Sequence, residues 1–319
     1  VNALYFYYQI KYAADYLESL GSGSTFNEIS KSMLKNVELP LPGDLPEQRR
    51  IASVLYNVDQ AIQKTEEIIE QTRRVKKGLM QYLFTEGYYS HEEFEKHIEG
   101  KIPASWNRSR FGDLLESMRN GIYKSEEHRG LGTPILKMGE MFDDLEFNGM
   151  PEERLKLTED EVEKYRIEQG DLLFARRSLN VEGAGKCTLI GDLLEPMVFE
   201  SSMIRARLKD EANPDYLAQY FNSPIGERNI SRIVMTLAAS GIRGSDLKNL
   251  KVPTPGLEEQ ERIAEVLFDY NKKIQGLKEE KERLQRIKKG IMQELLTGKV
   301  RTKDKDIDVL DEVLEVEKS

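Results

Sequence analysis

One segment of this chain is written twice, and that fact limits its folds more than any other. Residues 39–87 return with altered wording as residues 252–298. PLPGDLPEQRRIASVL from Pro40 is answered by PTPGLEEQERIAEVL from Pro253, and VKKGLMQYLFT ending at Thr85 by IKKGIMQELLT ending at Thr297. With Gln48 set on Gln260, the register holds without a gap through Ile51/Ile263, Lys77/Lys289, Met80/Met292 and Thr85/Thr297. Units of a solenoid repeat every 20 to 50 residues or so. A repeat spaced this widely instead requires a duplicated module, in which a globular piece is followed by a long helix, twice over.

After the Pro/Gly punctuation, apolar residues fall at Ile51, Leu55, Val58, Ile62, Ile69, Val75, Leu79 and Leu83, and again at Ile263, Leu267, Tyr270, Ile274, Leu277, Leu284, Ile287, Ile291 and Leu295. Spacings of three and four sustained this long are a heptad signature. Each helix is expected to run about 37 residues, roughly 55 Å at 1.5 Å per residue. So narrow an apolar stripe does not hold a lone helix in water, whereas two stripes packed together bury both. The pattern therefore predicts one antiparallel two-helix coiled coil. Thr65, Thr72 and Lys281 interrupt the seam, as register-fixing polar residues or as ordinary fraying. The basic clusters Arg73, Arg74, Lys76, Lys77 and Arg286, Lys288, Lys289 read as solvated faces.

With 319 residues, about two domains are expected, and 39% hydrophobic content supports a core. No run of 18 apolar residues occurs, no secretory signal opens the chain, and the single Cys187 excludes a disulfide framework or a cysteine zinc site. Three scattered histidines (His91, His97, His128) make no metal cluster. These features predict a cytoplasmic protein with no membrane segment. Val1 falls inside a helical pattern with no start methionine, which reads as a fragment. A net charge of −9 opposes general nucleic-acid binding, yet Arg176, Arg177, Lys186, Arg205, Arg207 and Lys209 cluster behind an acidic stretch, so a local basic face remains open.

Between the long helices, KIPASWNRSRFGDLLESMRNGIYK from Lys101 leads into strand-like runs TPILKM, GDLLFARRS, KCTLIG and MVFESSMIRARL. A helical stretch, PDYLAQYFNSPIGERNISRIVMTL, then closes a module of mixed α+β character. Residues 5–20 parallel the helix beginning at Tyr216, so only the last part of a first such module is present. Asn213–Tyr216 spell NPDY, near the NPPY of adenine-N6 methyltransferases. The third position departs from that pattern, and Asn-Pro-Asp is an ordinary helix start. EGAGKC fails as a phosphate loop, with Asn180 and Cys187 at its key positions. No carboxylate pair stands beside a nucleophile or histidine, so acid-base chemistry has no support.

The doubled PLPPLxEQxxIA-like and KKGLMQxLLTG-like phrases, the IP-x-x-W at Ile102–Trp106, the GDLLFARRS at 170–178 and the SGSTF and SGIRG loops at Ser22 and Ser240 together resemble the specificity subunit of Type I restriction-modification systems. The resemblance spans about residues 1–300. It implies an α+β target recognition domain with two long helices in an antiparallel coiled coil. The implied parts are a remnant of a first recognition domain (1–46), a first conserved helix and linker (47–98), a second recognition domain (99–250), a second conserved helix (251–300) and a charged tail (301–319), disordered or a small helix on Ile307, Leu310, Val313 and Leu314. The implied role is a non-catalytic DNA-reading subunit that reads half of a split site in double-stranded DNA, with helices setting the gap. Two modification subunits and, through them, restriction subunits are the implied partners; S-adenosylmethionine, ATP and Mg belong to those partners, and this chain binds no cofactor or metal. A Type IIB-like reader or a protein-binding coiled-coil scaffold are the alternatives.

Base reading needs Arg for guanine, Asn or Gln for adenine, and Ser or Thr as adaptable partners. The residues expected at DNA are Asn120, Tyr123, Lys124, Arg176, Arg177, Ser178, Asn180, Lys186, Ser201, Ser202 and Arg243. Arg205 and Arg207 stay open between DNA and structure, and Trp106 and Phe111 are expected in the core.

Overall fold

The computed structural model describes residues 1–21, 28–98, 100–140, 145–178, 181, 183–236 and 240–302, the side chains of Glu126 and Thr236 excepted. The SGSTF loop, Asn180 and the proposed tail helix lie outside the described residues. The chain divides into two compact units, residues 1–72 with 272–319, and residues 73–271. The first long helix, Leu45–Glu86, and the second, Leu257–Leu296, each contribute to both units. At 42 and 40 residues they exceed the expected length. In the first the helix starts ahead of the EQ phrase, with Pro46 in its first turn, where a missing N–H costs nothing.

In the first unit, Asn2 caps the helix Ala3–Tyr12 by accepting the Tyr5 N–H at 2.9 Å. Gln48 accepts the Asn2 N–H at 2.8 Å and donates to the Pro42 carbonyl at 2.8 Å, while the Tyr5 hydroxyl donates to the Pro40 carbonyl at 3.2 Å. Tyr5, Tyr8, Ile51, Leu55, Met292, Leu295 and Leu296 form the core. Lys281 pairs with Glu66 at 2.7 Å, Lys288 with Asp59 at 2.5 Å and Arg301 with Glu47 at 3.5 Å. One partner's number falls as the other's rises, so the helices run antiparallel here.

The second unit repeats the same joinery. Asn213 caps Pro214–Phe221 through the Tyr216 N–H at 2.8 Å. Gln260 accepts the Asn213 N–H at 2.9 Å and donates to the Pro255 carbonyl at 2.9 Å; the Tyr216 hydroxyl donates to the Pro253 carbonyl at 3.0 Å. The repeat in sequence is thus a repeat of hydrogen bonds that tie a capped helix to the opening of a long one. Lys76 and Asn271, 2.5 Å apart, again mark antiparallel pairing.

A five-stranded sheet, in the order Leu115–Asn120, Met203–Leu208, Leu172–Ala175, Cys187–Ile190, Glu146–Phe147, is antiparallel except at its last pair. A four-stranded sheet of Arg154–Leu155, Arg129–Leu136, Met197–Phe199 and Arg166–Ile167 lies in the same unit. Helix Pro214–Phe221 and both long helices share one core with the larger sheet. There Phe84 stands edge-on to Tyr216 and Tyr220 at 5.4 and 5.5 Å; its truncation would cost about 3–5 kcal/mol. Asn107–Arg110 pairs with Lys251–Thr254, joining the start of the module to its end.

The α+β class with two long antiparallel helices holds. Several details differ from the sequence reading. The run MVFESSMIRARL makes two strands separated by a turn, and the expected helical stretch breaks at Ser223-Pro224, where Ser223 caps Pro224–Ser231 and Met235–Thr236 turns to strand. Thr65 and Thr72 bond back to Ala61 and Ile68 of their own helix, at 2.9 and 2.7 Å, so they fix no register. Lys76 and Lys288 leave the solvated basic face and reach the opposite helix.

Candidate nucleic-acid interface

A small three-stranded sheet positions the functional side chains: Arg177–Ser178, then Ser240–Gly241, then Met235–Thr236. Arg177 stands opposite Gly241. The Arg176 N–H donates to the Ser202 carbonyl at 2.8 Å, and the Arg176 carbonyl accepts from the Ile242 N–H at 3.0 Å. A Cβ on Gly241 would meet that Arg176 carbonyl oxygen at 2.6 Å, so glycine is what lets the strands approach. The result is a cleft of about 400 Å³ in which Asn120, Arg176, Arg177 and Arg243 converge from three separate segments.

Electrostatics distinguish these residues from the other cations nearby. Arg176 donates one bond to the Ser201 carbonyl at 3.2 Å. Among the described residues no carboxylate pairs with Arg176, Arg177 or Arg243, so their charge is open to an external anion.

Among the described residues, the other expected contacts do not line the cleft. Lys124 is held by Glu161 at 2.6 Å, and that lysine, with the Thr158 backbone, keeps the Glu161 carboxyl below its ordinary range. The Ser202 hydroxyl donates to Glu200 at 2.6 Å. Ser178 and Ser201 are half-buried and Lys186 is exposed, while Tyr123 projects with 83% of its surface free. Arg207 grips Asp171 through two bonds of 2.9 and 2.8 Å and pairs with Glu168 at 2.9 Å. Arg205 is buried and donates to the Arg166 carbonyl, with burial pushing its pKa down. Both therefore belong to the scaffold. Trp106 and Phe111 are core residues, and the Trp106 indole donates to Glu259 at 2.9 Å. Asn213 and Pro214 of NPDY are a helix cap and first turn.

Sequence reasoning missed Met235, Ser240, Gly241, Ile242 and Gly244 in the cleft wall. Four of these lie in the SGIRG phrase, whose doubled occurrence was the available signal. Met235 had none, because its segment read as helix.

The profile of the Type I restriction modification DNA specificity domain matches residues 1–73 and 103–286. The chain is 30% identical over 309 residues to the MjaVIII specificity subunit of Methanocaldococcus jannaschii, covering 95% of this chain and 72% of that protein. It is 27% identical to the EcoKI specificity subunit of Escherichia coli K12, covering 80% of this chain and 55% of that one. In fold it is similar to the HsdS subunit from Thermoanaerobacter tengcongensis (TM-score 0.51, 19% identity, 94% of this chain and 71% of that one). It also resembles a chain from a study of complex assembly in the type I R-M system (TM-score 0.62, 17% identity, 92% and 70%).

Proposed function

Because this chain belongs to the Type I restriction-modification DNA specificity family, we propose that it reads one half of a bipartite site in double-stranded DNA through the Arg176, Arg177 and Arg243 cleft and docks modification subunits. The observation that carries this reading is a guanidinium cluster that no carboxylate among the described residues pairs with, set beside an exposed Asn120. Guanidiniums serve both phosphate oxygens and guanine edges, and an amide side chain matches adenine.

In this reading the chain makes and breaks no bonds. S-adenosylmethionine and methyl transfer belong to two modification subunits, and ATP and Mg to restriction subunits joined through them, all in the cytoplasm. The long helices act as a spacer, 42 residues amounting to roughly 63 Å at 1.5 Å per residue. A net charge of −9 opposes unselective binding by the isolated chain. DNA binding alone is therefore weak and salt-sensitive, and becomes specific with the partners.

The test is methylation mapping in cells that carry the subunit with its modification partners. Arg177→Ala with Arg243→Ala should abolish methylation at the half-site read by this unit while the melting temperature of the purified chain stays put. An unchanged methylation pattern would remove these residues from the DNA.

A further inference from the structure

The cleft is concave, and its shape asks for more than a groove edge. A base pair in an intact duplex is read by side chains that project into a groove. A recessed group cannot take part in that. Ser240 lines the cleft and is only 7% exposed, yet its hydroxyl has no hydrogen-bond partner among the described residues. A hydroxyl lining the recess can donate to, or accept from, a ligand that enters it.

We propose that this cleft takes a single nucleotide unit, either free as a nucleoside monophosphate or turned out of the base stack of DNA. The cleft's about 400 Å³ lies within the range of small-molecule sites. Arg177 and Arg243, both exposed and without carboxylate partners among the described residues, take the phosphate. Met235 and Ile242 offer an apolar surface to one face of the ring, and the Ser240 hydroxyl and Asn120 amide meet its polar edge. Apolar walls with a few edge-reading polar groups are how proteins hold a nucleotide extruded from a helix. The extruded form rests on the DNA reading above, and the free form does not.

The full chain is titrated calorimetrically with each deoxynucleoside 5′-monophosphate and with inorganic phosphate. At least one monophosphate should bind more than about tenfold tighter than phosphate, and Ser240→Ala, with an unaltered melting temperature, should weaken it about tenfold, the effect of one lost hydrogen bond. If no monophosphate outcompetes phosphate, or if Ser240→Ala binds as well as the parent, the proposal is overturned. A duplex carrying 2-aminopurine at successive positions of the mapped half-site, bound with the modification subunits, separates the sources. Brightening that Ser240→Ala abolishes assigns the nucleotide to DNA; monophosphate binding without brightening assigns it to a free ligand. Should monophosphates bind while Arg177→Ala with Arg243→Ala leaves methylation intact, the DNA reading falls and the nucleotide site stands.

Discussion

At corresponding places in its two helix pairings, the molecule sets an inward-turned lysine against a carboxylate once and against an amide once. Lys288 meets Asp59 at 2.5 Å, and the same carboxylate accepts the Tyr8 hydroxyl at 2.9 Å. Lys76, the counterpart of Lys288, meets the amide oxygen of Asn271, the counterpart of Asp59, and no carboxylate among the described residues. The amide accepts the hydrogen bond but contributes no charge, and burial lowers the Lys76 ammonium to a pKa of about 8. The glutamates that precede the clamping glutamines differ in the same sense. Glu259 accepts the Trp106 indole at 2.9 Å, the Tyr88 N–H at 2.9 Å and a bond shared with His91 at 3.0 Å. Its counterpart Glu47 is equally buried, with one oxygen loosely approached by Arg301 and Thr302 at 3.5 Å and the other without a partner among the described residues. Duplication preserved the backbone joinery in both units; only the second completed one carboxylate socket, and only the first completed the lysine's charge pair.

The contrast can be broken most directly at the glutamates. Glu259→Ala strands an indole N–H and backbone N–H groups in the core and should cost about 3–5 kcal/mol in denaturant unfolding. Glu47→Gln removes a buried charge with an orphan oxygen and should change stability by less than about 1 kcal/mol, or raise it. Equal losses would erase the distinction. Next in size, Asp59→Ala leaves Lys288 without its partner and should cost about 2 kcal/mol, below the range for a fully buried pair because Asp59 retains 30% side-chain exposure.

The lysines sharpen the contrast through pH. Since the folded pKa of Lys76 lies below its ordinary value, the unfolded chain binds the extra proton between them. Stability should therefore rise from about pH 8 to about pH 10.5 by about 1–2 kcal/mol. Below pH 8 the penalty is fully present and constant. Smallest is Asn271→Asp, which supplies the missing charge: about 1 kcal/mol of added stability at pH 7, and a flattened alkaline rise relative to the parent. If parent and variant follow the same curve, Lys76 is not the titrating group.

The long helices were legible because a heptad pattern is local and here appears twice. What the pattern could not display was which flanking lysine turns inward: Lys76 and Lys77 are neighbours in a basic run, and a turn of about 100° per residue decides between solvent and seam. The Gln48 and Gln260 clamps were visible as a repeated letter, but their bonds run to residues far away in sequence. The cleft lies further from local reading. Its strands join Arg177 to Gly241 across the second half of the module, and a short hydroxyl such as Ser240 carries no pattern of its own. Arg205 and Arg207, written like the cleft arginines, could be separated from them only once Asp171 and the Arg166 carbonyl were seen to engage them.

The pairing of Asn107–Arg110 with Lys251–Thr254 makes the two ends of a long stretch of chain adjacent rungs of one ladder. The stretch between them is held by this two-stranded plate and by the capped helix Pro214–Phe221, which packs into one core with both long helices. A different set of strands, spliced in after the first rung and ahead of the capped helix Pro214–Phe221, should leave the clamps at Gln260 and Glu259 undisturbed, so that what is read can be exchanged by grafting while the means of attachment stays constant.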